Sequence, residues 1–172
     1  MNKYCWTSVV GVTVMVLFCV SAVANPHQLA VGVRQHVDHT TFDEYPFGED
    51  DLSYGLAYEY HEGPAYWQIA VLYADDVTGT TNDLDFVLTP QINIVLKDAF
   101  WRLGVGGLTS YTKGDDVDEW TDLYWQVMAG LGLPVFALDV DVMAYYPFES
   151  WGDIGDFDID DVEFGGWISY EF

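Results

Sequence analysis

The chain has few basic residues and no cysteine beyond its first twenty residues. It carries 5 Lys and Arg against 28 Asp and Glu, a net charge of −23 at pH 7, and its two cysteines are Cys5 and Cys19. So few cations exclude nucleic acid as a direct partner, because phosphate contacts depend on Lys and Arg. With 51% hydrophobic and 17% aromatic residues, the chain is not an acidic disordered tail either. The composition therefore indicates a folded, strongly acidic protein.

The N-terminal segment has the pattern of an export signal. Lys3 precedes an apolar run over residues 9–20, and residues 21–24 read Ser-Ala-Val-Ala. A helix that spans a bilayer needs about 20 apolar residues, so the run is too short for an anchor. We predict a cleaved signal peptide at 1–24 and a cysteine-free mature domain at 25–172. An exported domain without disulfides needs another source of stability, which a closed β-barrel in lipid supplies.

The sequence lacks the i, i+3, i+4 recurrence of apolar residues that is typical of helices, and shows the two-residue recurrence that is typical of strands. Apolar residues recur at every second position, as they do when successive side chains point to opposite faces of a strand. In the fourth segment, for example, Leu84 and Phe86 share the apolar face and Asp85 lies on the other. Each segment has roughly the 9–11 residues of a membrane-crossing strand. We predict eight strands, at 29–38, 52–61, 66–74, 84–97, 101–111, 123–133, 138–148 and 162–172.

The connections between these segments alternate between short and long. The long connections, at 38–51, 75–85, 112–122 and 147–163, hold 22 of the 28 acidic residues and one basic residue, Lys113. Short periplasmic turns and long extracellular loops are typical of outer-membrane barrels. An even number of strands would place both termini in the periplasm.

The two faces of the strands differ in residue size. One face carries Trp, Tyr, Phe, Leu and Val, and the other mostly Gly, Ala and Ser with isolated charges. A soluble barrel of lipocalin type is the alternative, with its large apolar residues inside. The interior of eight strands is barely wide enough for side chains, so the small residues suit the inside. We therefore predict a membrane barrel whose apolar face points outward.

Several charged residues fall on the predicted inner face. Buried charges must be paired, so we expect them to form ion pairs that plug the barrel. Arg102 and Lys97 are expected to pair with Glu59, Asp139 or Glu171, and Arg34 with Glu163 or Asp141. A gate or ion path is the alternative use of the same residues. The full set of lumen charges is Arg34, Glu59, Lys97, Arg102, Asp139, Asp141, Glu163 and Glu171.

Two loops contain dense acidic runs that could offer oxygen ligands to Ca²⁺ or Mg²⁺. The spacing of an EF-hand is absent, so we expect at most weakly bound ions and no tightly bound cofactor. Such ions could bridge the loops to anionic lipopolysaccharide; an acidic surface adapted to saline surroundings is the alternative. The candidate residues are Asp115, Asp116, Asp118 and Glu119 in one run, and Asp156, Asp158, Asp160 and Asp161 in the other.

The final segment ends in alternating apolar residues, Ile168, Tyr170 and the terminal Phe172. It resembles the last strand of bacterial outer-membrane barrels, and this resemblance implies recognition by the barrel-assembly machinery. The mature chain as a whole is similar to the small eight-stranded barrels of the OmpA and OmpX type. That resemblance implies an all-β, antiparallel up-and-down barrel in a Gram-negative outer membrane. Its implied role is structural or adhesive, with loops that contact lipopolysaccharide or host ligands.

Two other functions remain open from the sequence. One is transport through a narrow or gated lumen. The other is lipid A modification, since small barrels include deacylases and acyltransferases that use Ser and His. No serine here lies within two residues of a histidine, and the nucleophile motif G-x-S-x-G does not occur, so we predict that the protein is not an enzyme. The residues available for such chemistry are His27, His36, His39 and His61 with Ser53, Ser110, Ser150 and Ser169.

Overall fold

A computed structural model of the chain describes residues 26–39, 45–77, 84–114 and 117–172. The predicted signal peptide, Asp115 and Asp116 lie outside these ranges. Within the described residues there are two short 3-10 helices, Asp153–Asp156 and Ile159–Asp161. The same residues form ten strands: β1 His27–Gln35, β2 Leu52–Glu62, β3 Ala65–Val77, β4 Leu84–Lys97, β5 Trp101–Leu108, β6 Tyr111–Gly114, β7 Asp118–Trp120, β8 Tyr124–Val135, β9 Leu138–Phe148 and β10 Glu163–Glu171.

Eight of these ten strands close into one antiparallel barrel. Its order is β1-β2-β3-β4-β5-β8-β9-β10, and β10 pairs with β1 to complete the ring. The eight predicted segments correspond to these eight strands. The short β6 and β7 form a hairpin inside the predicted third loop, where β6 pairs with the first residues of β4. We call the end of the barrel with the long connections the loop end and the opposite end the turn end.

Exposure alternates along the barrel strands as the membrane interpretation predicts. Leu56 is 69% exposed and Trp101 63%, whereas their strand neighbours Ala57 and Arg102 are buried. The outward residues join into one apolar belt around the barrel, far larger than the isolated apolar patches of soluble monomers. Such a surface matches the hydrocarbon of a bilayer. No helix among the described residues is long and apolar enough to span a membrane.

The start of β4 departs from the predicted alternation. Leu84 is buried and Asp85 is exposed, the reverse of the assignment made from the sequence. The ladder between β4 and β6 shifts register between Leu84 and Phe86. The irregularity reverses the faces of the residues before it, while from Phe86 onward the side chains keep the predicted faces, and the sequence period does not reveal such a shift.

Side chains fill the lumen in layers. A middle apolar layer contains Trp167, whose indole Nε1 donates to the Tyr145 hydroxyl at 2.7 Å. Gly32 and Gly55 make room for this indole, since a Cβ at either position would lie within 2.6 Å of its ring. At the loop end a second apolar cluster, which includes Phe47, Val87 and Tyr124, covers the interior. Charged clusters lie between these apolar layers and toward the turn end.

Candidate functional site

The loop-end cluster consists of Arg34, His36, His39, Tyr45 and Glu163. Glu163 is fully buried, and four donors surround it. Arg34 Nε donates to Oε2. His36 Nδ1, His39 Nε2 and the Tyr45 hydroxyl lie 3.0, 3.1 and 2.7 Å from Oε1. The carboxylate is therefore the point at which three separate chain segments meet.

Strand register explains why Arg34 and Glu163 meet. Arg34 lies near the end of β1 and Glu163 begins β10, and the two strands are neighbours in the barrel. Both residues fall on the inward face. The guanidinium also donates from Nη1 to Gln126 at 2.9 Å and lies 4.3 Å from the centre of the Tyr145 ring. The buried cation thus has both a counter-ion and further polar and aromatic contacts, as a buried charge requires.

The same cluster fixes residues 45–51, the described part of the first long connection before β2, over the lumen. The His36 ring stacks on Phe47, with ring centres 3.6 Å apart and planes 4° apart. The Tyr45 ring packs edge-on against Tyr124 at 5.8 Å. Backbone bonds between His36 and the segment at 50–51 extend the β1–β2 pairing past the strand ends. Residues 45–47 are therefore fixed as a cap and form part of the barrel interior.

A serine joins this cluster through His36. The Ser53 hydroxyl lies 2.9 Å from His36 Nε2, and the opposite ring nitrogen faces Glu163. Burial lowers the pKa of His36, although the nearby Glu163 acts in the opposite direction. When the ring is neutral, Nδ1 donates a hydrogen bond to Glu163 and Nε2 accepts a hydrogen bond from the Ser53 hydroxyl.

The order serine, histidine, carboxylate is that of an activated nucleophile. Sequence reasoning missed it because Ser53 and His36 are joined by strand pairing and not by sequence proximity. Ser53 is fully buried and Phe47 covers the imidazole, whereas a nucleophile must reach its substrate. Arg34 also neutralises the carboxylate. In this arrangement the three groups orient the loop.

The turn-end cluster is centred on Arg102 and Asp141. Arg102 Nε lies 3.1 Å from Asp141, and its Nη1 donates to the Asp98 carbonyl at 2.9 Å. A Cβ at Gly132 would lie 2.1 Å from the guanidinium and 2.2 Å from the Asp141 carboxylate. The glycine thus leaves the space in which the pair forms.

Two of the other predicted lumen charges near this end, Lys97 and Glu59, contact His61. Lys97 Nζ donates to His61 Nδ1, and His61 Nε2 lies 3.0 Å from Glu59. Asp139 accepts from Gln28 at 3.4 Å. Glu171 is half-buried at the end of β10. The lumen charges therefore form two groups at different heights.

These contacts differ from the expected pairing for both Arg102 and Lys97, the second of which bonds to His61. Arg34 pairs with Glu163, one of the two partners considered from the sequence. Arg102 pairs with Asp141, which had been considered for Arg34, and not with Glu59, Asp139 or Glu171. The height of a residue along the barrel depends on strand stagger, and the sequence period does not give it.

A chain of side-chain amides connects the two clusters. Gln126 accepts from Arg34 and donates to Asn93 at 2.8 Å. Asn93 donates to Gln68 at 2.8 Å, and Gln68 donates to Glu59 at 2.9 Å. Each donor in the series lies on the loop-end side of its acceptor, so this series of hydrogen bonds runs from Arg34 at the loop end to Glu59 at the turn end. The strand alternation places Gln68, Asn93 and Gln126 on the inner face, but it does not indicate which of them are in contact.

The described acidic residues of the loops serve several different roles. Asp118 accepts from Lys113 Nζ and from the Tyr111 hydroxyl, and these hydrogen bonds lower the pKa of Asp118. Asp158 accepts from the backbone of Asp160 at 3.1 Å and caps a short helix. Asp161 is buried 3.6 Å from His39, and so belongs to the lumen and not to the rim.

Glu119 and Asp160 are exposed, and the side chain of Asp156 lies outside what the structure describes, as do Asp115 and Asp116. Across residues 26–39, 45–77, 84–114 and 117–172, no group of three or more His, Cys, Asp or Glu side chains has a metal-binding arrangement.

The residues of the predicted assembly signal lie on the closing strand. Ile168 points outward and is 46% exposed. Tyr170 pairs with Leu138 on one side and Leu29 on the other, so the last strand is tied into both neighbours. The Phe172 amide donates to the His27 carbonyl at 3.3 Å. Recognition by an assembly machinery stays a prediction.

Comparison with known proteins supports the architecture. No family model and no curated protein matches the chain. Among solved structures, the crystal structure of Neisserial surface protein A (NspA) matches with a TM-score of 0.51 and 9% sequence identity. The match covers 85% of this chain and 96% of that one. The chain has the fold of a small eight-stranded transmembrane β-barrel. At this identity the likeness concerns the fold alone, and it confirms the architecture inferred from the strand pattern.

Proposed function

We propose that this protein is an outer-membrane barrel with a filled lumen that displays acidic loops at the cell surface. Its role would be structural or interactive, in adhesion, envelope integrity or contact with lipopolysaccharide. The observation that supports it best is the packing of the interior. Glu163 and Arg34 are almost fully buried, and the Trp167 layer lies beneath them. Eight strands leave little room beyond such side chains.

The loops supply the interacting surface in this proposal. Acidic residues dominate the long connections, and a dense negative rim attracts cations from solution. Loosely held Ca²⁺ or Mg²⁺ would link the exposed carboxylates, such as Glu119 and Asp160, to the phosphates of lipopolysaccharide. Surface ligands or host molecules with basic patches are the other partners of matching charge. Insertion would use the terminal strand as the signal to the barrel-assembly machinery.

Surface proteolysis of whole cells, followed by gel mobility with and without heating, tests location and fold together. We expect a heat-modifiable band and cleavage confined to the four long connections. Cleavage at the short turns, or a protein that is soluble without detergent, would contradict the proposal.

Conductance separates this role from transport. A filled lumen predicts no steady large current in planar bilayers, and Trp167→Ala, which empties the middle layer, serves as the comparison variant. Steady current from the unaltered protein would favour the pore alternative. Analysis of lipid A acyl chains with and without expression tests the enzymatic alternative, for which we expect no change.

A further inference from the structure

The outer wall of the barrel carries a groove of about 710 Å³. It crosses four neighbouring strands, β4, β5, β8 and β9. Two rows of directly paired, outward side chains form its base. One row runs through Ile94, Val105, Val127 and Tyr146, and the next through Leu96, Leu103, Ala129 and Ala144.

Two small residues make the depression. Ala129 and Ala144 are paired with each other, between Leu103 on one side and Phe164 on the other. Most other outward positions of the belt carry larger apolar side chains, with Gly107 and Gly166 as exceptions. Four strands spaced about 4.8 Å apart give the groove a length of about 15 Å.

The fourth long connection forms a lip over one end of this groove. Residues 151–159 lie against the outside of the barrel, where the Phe157 ring is 4.8 Å from Tyr146. Trp151 packs in the same way on Phe148 at 5.1 Å. Phe157 and Ile159 line the groove while remaining 55% and 68% exposed. Tyr146, although outward-facing, is consequently only 7% exposed.

We propose that this groove binds one acyl chain of an outer-leaflet membrane lipid. No charged side chain lines it, and it opens within the apolar belt that the bilayer surrounds. The hydrocarbon of lipid is the medium in contact with that belt. The lip from the fourth connection lies at the loop end, so the acyl chain enters the groove from the leaflet on that side. A bound acyl chain would contact apolar side chains on several sides, whereas other lipids touch the belt on one side only.

Native mass spectrometry of the folded mature protein tests the proposal. The barrel is refolded in dimyristoylphosphatidylcholine vesicles and then released from a mild detergent. We expect one retained lipid on the unaltered protein. Ala129→Phe with Ala144→Phe fills the groove and should lower retention about tenfold or more. Val71→Phe, an outward substitution on β3 away from the groove, is the matched control and should retain the lipid.

Phe157→Ala removes the lip without altering a barrel strand, and it should also lower retention. The proposal would be overturned if the unaltered protein, the double variant Ala129→Phe with Ala144→Phe, and Phe157→Ala all retained lipid equally. It would also be overturned if the unaltered protein retained no lipid. A dimer mass in place of a lipid mass would assign the groove to a second copy and equally overturn it. The inference rests on the barrel standing in a membrane. Heat-modifiable mobility, measured on the same samples, shows whether that premise or the groove alone has failed.

Discussion

The two charged clusters of the lumen obey the same inward pattern but differ in how they are sealed. At the loop end, Arg34 and Glu163 are 2% and 0% exposed, and the carboxylate meets four donors from two other chain segments. At the turn end, Arg102 and Asp141 are 8% and 6% exposed and lie near half-buried His61. Short turns cannot fold over the barrel, whereas a long connection can. The long connection thus seals the Arg34–Glu163 pair more completely than the short turns seal Arg102–Asp141, whereas Glu59 near the turn end is 1% exposed among lumen side chains.

The largest effect is expected when one carboxylate is removed from each cluster. Glu163→Gln should destabilise the barrel by about 3–5 kcal/mol, because Arg34 is left buried without a counter-ion. Asp141→Asn should cost about 1–3 kcal/mol, since fewer partners are left unpaired. Urea unfolding in lipid vesicles, followed by tryptophan fluorescence, measures both. An equal or larger loss in Asp141→Asn would show that the two ends are sealed alike.

A second test breaks the amide chain between the clusters. Asn93→Leu preserves much of the volume but removes the donor to the Gln68 carbonyl oxygen and one of the two acceptors of the Gln126 amide nitrogen, which should cost about 1–3 kcal/mol. Thr89→Val, which removes a buried hydroxyl bonded to Ser110 and outside the chain, is the control and should cost less. If Asn93→Leu is no worse than Thr89→Val in the same urea assay, the two clusters are energetically independent.

Lowering the pH should loosen the loop end first. Burial lowers the pKa of His36 below its ordinary value of 6.5, so the unfolded chain gains a proton at this site that the folded protein does not. Stability should therefore fall as the pH drops below about 6.5, by at most about 1.4 kcal/mol per pH unit.

Urea unfolding and protease cleavage within the first long connection, compared at pH 8 and pH 5.5, measure this effect. His36→Gln is the control and should show a flatter profile, although Glu163, Asp51 and Arg34 still face the site. Stability that is constant or that increases on acidification of the unaltered protein would contradict the expected sign.

The smallest effect is expected at the exposed rim. Asp118→Asn weakens the pair with Lys113, but both side chains are exposed and solvent screens their attraction. We expect no measurable change in the urea midpoint, in contrast to Glu163→Gln. A clear loss would mean that the β6–β7 hairpin stabilises the barrel below it.

Much of the fold could be predicted because strands have a period of two. Leu56 and Ala57 lie on opposite faces whatever their partners are, and the size of the two sets indicates which face meets lipid. The failure at Leu84 has a physical cause, since a bulge shifts the face without altering composition. The site was predictable only as a set of inward charges. The Ser53–His36 contact, the partner of Arg102 and the groove at Ala144 depend on stagger between strands and on where a loop folds back.

The sequence by itself determined the number of barrel strands, the outward apolar face, the inward charges and the acidic connections, because each follows from local alternation and spacing. Only the tertiary structure decided which charges pair, that His36 and Tyr45 join Glu163, and that residues 151–159 lie against the outer wall. Those contacts join residues far apart in the chain. Their geometry is set by barrel closure and register, which no single segment encodes.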